Sequence, residues 1–170
     1  HSNELVFKEL PPGARVWYYH SLFTYNTWHA PMLSWRSNYL AETAKSGRWL
    51  GVCPNLCSLV HFAGPFTCAE FVHTRMTEFL DSGLSGLLGY ASPNVHYYYY
   101  NDDAAAEWAW NGKGRTPREF AYSWAIRQGL KDPEKFVEWT KTAGMVGWDV
   151  YGSAWPQGEQ RDYPGRAAGR

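Results

Sequence analysis

The chain has no surplus of either charge. Its sixteen basic and sixteen acidic residues cancel to a formal net charge of +0, and neither sign forms a long block. Bulk electrostatics therefore give no reason to expect a polyanionic partner, and nucleic acid is not an expected ligand. Cysteine is scarce as well. The three present, Cys53, Cys57 and Cys68, are an odd number, which excludes a fully disulfide-paired monomer and argues against a small disulfide scaffold. No apolar stretch approaches the roughly 20 residues needed to span a membrane. No signal peptide is legible at the start, and the opening His1 reads as a fragment or processed product of a longer protein. A periplasmic or extracellular parent is compatible with this, and the sequence assigns no compartment.

What the chain has in excess is aromatic surface. Ten Trp, twelve Tyr and eight Phe make up 18% of its 170 residues, and many stand beside Asn, His, Asp or Gly rather than in plain apolar runs. Flat rings interleaved with planar polar groups suit a carbohydrate, whose C–H faces pack on aromatics while its hydroxyls need fixed donors and acceptors. A saccharide or glycoconjugate is thus the expected partner, and no cofactor is called for.

Hydrophobic periodicity divides the chain into repeated units. After a lead-in at 5–13, Arg15–His20 reads as a strand of β-branched and aromatic residues. Trp35–Lys45 reads as a helix closed by Ser46 and Gly47, and Trp49–Cys53 as a second strand. Phe66–Leu80 repeats apolar residues at three-and-four spacing and stops at Gly83, before a third strand at Leu84–Tyr90. The strand starts fall 34 and then 35 residues apart, near the roughly 31 of one unit in a 250-residue eight-unit barrel. Strands alternating with helices imply a parallel sheet. The expected fold class is therefore α/β: a partial TIM-type (β/α) barrel of about three strand-helix units over 1–112, followed by a helical extension over 113–156. The Gly-, Arg- and Pro-rich end, 157–170, is expected to be disordered.

The helical part carries clear start signals. Asp102 or Asp103 can cap a helix ending near Asn111 and Gly112. Thr116, Pro117 and Glu119 form a capping box with proline at the first helical position. Asp132 and Pro133 repeat the device for a helix to about Ala143.

In a barrel, ligands meet the loops that follow the strands. That rule selects Tyr19, His20, Tyr25 and Trp28 after the first strand, Asn55 after the second, and Tyr90 and Asn101 after the third as substrate-binding candidates. Glycosidic cleavage needs two carboxylates, and the acids nearest these loops are Asp102, Asp103 and Glu107. All three have structural explanations: the two Asp as helix caps, and Glu107 as partner to a base such as Arg115. Cys53, Cys57, Cys68, His61 and His73 offer metal-capable atoms, but at no common zinc-motif spacing, so no metal site is assigned.

The text GLSGLLGYASPNVHYYYYNDDAAAEWAWN at Gly83–Asn111, followed by GRTPREFAYSWAIRQG, resembles the end of a glycosidase barrel. The likeness is to the superfamily of β-N-acetylhexosaminidases and O-GlcNAc-hydrolase-like enzymes. It covers about the last two thirds of the chain and rests on an A-x-x-x-W-N element at Ala106–Asn111 and the stretch around Phe120. It implies hydrolysis of glycosides by an adjacent acidic pair lying after the fourth strand, hence in a part of the barrel upstream of His1. Only substrate contacts carry over, at Tyr19, His20, Asn55 and Tyr90. The fragment alone is expected to be inactive, its catalytic residues unknown, with a non-catalytic carbohydrate-binding or scaffold module as the alternative.

Overall fold

The computed structural model describes residues 8–19, 39–53, 56, 69–89 and 95–152; within these, the side chains of 18, 19, 39–41, 53, 95–98 and 145–152 are not described. The elements follow in the order β1 (Val16–Tyr19), α1 (Tyr39–Lys45), β2 (Leu50–Cys53), α2 (Ala69–Asp81), β3 (Gly86–Leu87), α3 (Val95–Trp110), α4 (Pro117–Arg127) and α5 (Pro133–Gly152). The chain is mixed α/β, mostly helical, around a small three-stranded parallel sheet.

The strands pair in sequential order, β1-β2-β3. Tyr19 is in register with Cys53, and Val52 with Leu87. Each parallel neighbour is reached by a crossover, as the alternating pattern predicts. Right-handed crossovers between consecutive neighbours place their connecting segments on one face of the sheet. That face is built from Leu50 and Val52, both buried, and Val52 joins Phe71, Met76 and Phe79 of α2 in the core.

The opposite face is organised by two tryptophans and a glycine. Trp17 is in register with Gly51, and its indole lies in the space a Cβ on Gly51 would need. Trp49 meets Trp17 edge to face, with centroids 4.9 Å apart, and the Arg15 guanidinium stands 5.6 Å above the Trp49 ring. Trp17 keeps 46% of its surface exposed, so this face is only partly covered.

β3 is much shorter than the seven residues the sequence suggests. The Ser85 amide donates to the Leu50 carbonyl and the Leu88 amide to the Val52 carbonyl, both at 2.9 Å. The chain thus advances three residues at β3 for two on β2, a bulge-like gain that ends regular pairing.

Helix ends follow their local chemistry. Gly83 takes φ +73° and closes α2 with paired bonds, Gly83 N–H to Leu80 O and Leu84 N–H to Phe79 O, each 3.0 Å. This is the left-handed glycine stop that the sequence signals. Thr116 and Glu119 form the expected reciprocal capping box of α4, and Asp132 Oδ1 accepts from the Lys135 amide at 3.1 Å at the start of α5.

Two boundaries differ from expectation. α3 begins at Val95, not at Asp102 or Asp103, so both aspartates lie inside the helix and cap nothing. Tyr99, Tyr100 and Asn101 belong to this helix rather than to a loop. The reason is tertiary: Tyr100, Asn101, Ala104, Ala105 and Trp108 are all buried along one helical stripe, and that burial outweighs the modest helix propensity of Tyr, Asn and Asp. α5 runs on past Ala143 to Gly152, through a buried Gly144. A single interior glycine costs only about 1 kcal/mol relative to alanine.

One core serves both halves of the described chain. Val52, Phe71 and Met76 from the strand-helix units pack in the same cluster as Tyr100, Trp108, Phe120 and Val137 from the helices. The expected disordered segment, 157–170, lies outside the described residues.

Candidate functional site

The parallel register sets the last residues of β1 and β2, Tyr19 and Cys53, side by side at the C-terminal edge of the sheet. This is the edge from which the first two candidate loops depart. His20, Tyr25, Trp28, Asn55 and Tyr90 lie outside the described residues. Asn101 sits elsewhere than the sequence placed it. It is fully buried within α3, and its Nδ2 donates to the Leu56 carbonyl at 2.9 Å. Its visible role is to tie the residue after Asn55 to α3.

The three acids on α3 have different surroundings. Glu107 accepts two bonds from Arg115, from Nε at 2.7 Å and from Nη2 at 2.6 Å. This is the pairing the sequence suggests, and the Arg115 hydrogen bond holds the Glu107 carboxyl below its ordinary pKa. Arg115 is held in turn: its carbonyl accepts from Trp108 Nε1 at 2.9 Å, and its guanidinium lies 5.7 Å from the Phe120 ring centroid.

Asp103 Oδ2 accepts from Trp124 Nε1 at 2.8 Å, a bond that joins α3 to α4. Asp102 is half-buried, and its Oδ1 is enclosed with no hydrogen-bond partner. Burial, and secondly the neighbouring Asp103 charge, push its carboxyl above the ordinary range. The helix-cap explanation for this pair is therefore replaced by two others: Asp103 is an inter-helix acceptor, and Asp102 is a carboxyl whose charged form is disfavoured.

Around these acids the structure gathers an aromatic cluster that loop-based reading missed. Tyr100 meets Trp124 edge to face at 5.2 Å and Phe136 at 5.5 Å. Trp124 and Phe136 stack at 5.2 Å with planes 16° apart, and Phe136 continues to a half-exposed Trp139 at 5.7 Å. The signal for this core was the four-residue spacing of Tyr100, Ala104 and Trp108, which marks one helical face. On the outside of α3, Trp110 is 93% exposed.

Of the metal-capable residues, Cys57, Cys68 and His61 lie outside the described residues, and only the backbone of Cys53 is described. His73 packs edge to face on Trp108 at 4.8 Å, and burial lowers its pKa. Among the described residues no three His, Cys, Asp or Glu side chains gather in a way that could hold a metal. Among them, too, no helix is long and apolar enough to cross a membrane.

Against known proteins, the chain matches no family model, no curated protein and no solved structure.

Proposed function

We propose that this chain is part of a (β/α)-barrel glycoside hydrolase of the β-N-acetylhexosaminidase and O-GlcNAc-hydrolase-like type, contributing the carbohydrate-binding face of the active site. The observation that carries this reading is the sheet. Three consecutive strands run parallel in sequential order, the arrangement of adjacent units in a barrel wall. The segments departing from its C-terminal edge hold Tyr25, Trp28, Asn55 and Tyr90 in sequence. Rings there would take the C–H faces of a pyranose, and the amide and imidazole groups its hydroxyls. The catalytic carboxylates belong to another part of the barrel.

One observation favours a second reading, a carbohydrate-binding module with no chemistry of its own. Asp103 and Glu107, two of the three acids near the expected site, are engaged in structural bonds to Trp124 and Arg115.

Titration of the chain with N-acetylglucosamine and chito-oligosaccharides, followed by NMR, tests the shared claim. Saturable binding that Trp28→Ala and Tyr90→Ala each weaken is expected. No binding across the series, or unchanged affinity in both variants, overturns the carbohydrate reading. Turnover of an aryl glycoside by a longer polypeptide that includes further strand-helix units separates the enzyme from the module.

A further inference from the structure

Between α2, β3 and the last turn of α3 lies an apolar cavity of about 170 Å³. Val52, Met76 and Phe79, all buried, form its inner wall, and Leu84 and Leu87 flank it. Leu80 and Ala109, both exposed, stand at its mouth. It adjoins the residues that lead into β3, at the end of the sheet opposite the strand ends from which the proposed sugar loops depart. It is thus separate from that site and independent of that reading.

The lining selects the chemistry of an occupant. No charged side chain contributes to it, and Ser85 supplies its one hydroxyl. An ordered water needs two to four polar partners, which this wall does not offer. Left unfilled, the side chains around such a void forgo dispersion contacts that a well-packed core would make. An apolar molecule restores those contacts and leaves no polar group unsatisfied. Aliphatic and aromatic cavities of about 150 Å³ admit a benzene-sized guest, so the volume here matches a single ring. The mouth has a movable side. The Leu80 side chain lies where a Cβ on Gly112 would stand, so the glycine lets Leu80 fold against the end of α3, and a rotamer change there widens the entrance.

We propose that this cavity binds one small, neutral, apolar molecule about the size of a single six-membered ring. Benzene is the probe, followed through the methyl resonances of Met76, Leu84 and Leu87 and through thermal unfolding. Saturable shifts at those methyls and a ligand-dependent rise in Tm are expected. Ala109→Leu and Leu84→Phe, which fill the space from mouth and flank, should each weaken binding by about tenfold or more. Absence of saturable shifts in the folded chain overturns the proposal, as does unchanged affinity in both filled variants. Methyl shifts that follow protein concentration rather than benzene would show a second copy of the chain covering the cavity, and would overturn it too. Should neither variant fold, xenon on the unsubstituted chain decides: shifts confined to these methyls uphold the site, and shifts elsewhere remove it.

Discussion

The acids of α3 show how neighbours, rather than residue type, set behaviour. Asp102 is held above its ordinary pKa by burial and by Asp103, so the folded state binds its proton more tightly than the unfolded chain does. Its contribution is therefore most favourable below the unfolded carboxylate pKa and is lost as pH rises through the folded value. Asp102→Asn removes the charge that must be buried at neutral pH. A Tm higher by a few degrees at pH 7, with the gap closing in acid, is expected from calorimetry at several pH values. Glu107 behaves in the opposite sense. Arg115 lowers its folded pKa, so its stabilisation is present above the unfolded value and disappears as pH falls through the folded one. Glu107→Gln should destabilise by about 1 kcal/mol near neutrality, the scale of a partly buried charged hydrogen bond after solvent screening. Chemical denaturation at pH 7 and in mild acid measures both the loss and its disappearance. The Glu107–Arg115 pair was legible in the sequence because acid and base sit eight residues apart across a short turn. Asp102 was not, because enclosure of one oxygen depends on what packs over it.

At the scale of elements, local chemistry and tertiary burial divide the work. The Thr116 box and the Gly83 stop depend on side chains and backbone within a few residues, and both formed where the sequence put them. Thr116→Ala should cost about 1 kcal/mol of stability, checked by urea unfolding. Gly51 works across strands. Any side chain there collides with the Trp17 ring, so Gly51→Ala is expected to displace Trp17 from its edge-to-face contact with Trp49. A red-shifted tryptophan emission and a lower Tm would report it; an unchanged spectrum and Tm would mean the ring is not seated on the glycine. The start of α3 shows the converse case. Its tyrosine-rich opening reads locally as a loop, yet the buried stripe from Tyr100 to Trp108 carries it as helix. β3 in turn is cut to two residues by the extra step between Ser85 and Leu88, which hydrophobic pattern alone does not reveal.

For the molecule as a whole, one core joins sheet and helices, while Trp17, Leu88 and Trp110 remain exposed and the small sheet keeps a partly open face. Exposed strand edges and large apolar side chains promote association. Sedimentation velocity of the 170-residue chain is expected to show dimers or larger species that diminish in Trp110→Ser or Trp17→Ser. A monodisperse monomer with a single cooperative melt would mean instead that these surfaces are tolerated and the chain is a self-sufficient fold. The strand-helix alternation, the parallel sense of the sheet, the turn and cap positions and the Glu107–Arg115 pair were determined by sequence, because period, glycine and capping chemistry act over a few residues. The tertiary structure alone decided that Asn101 and Tyr100 turn inward, that Asp102 and Asp103 sit mid-helix, and that a cavity opens beside β3. These depend on which surfaces meet across the fold, and the free energy of burial is set by that meeting and not by the order of residues along any one element.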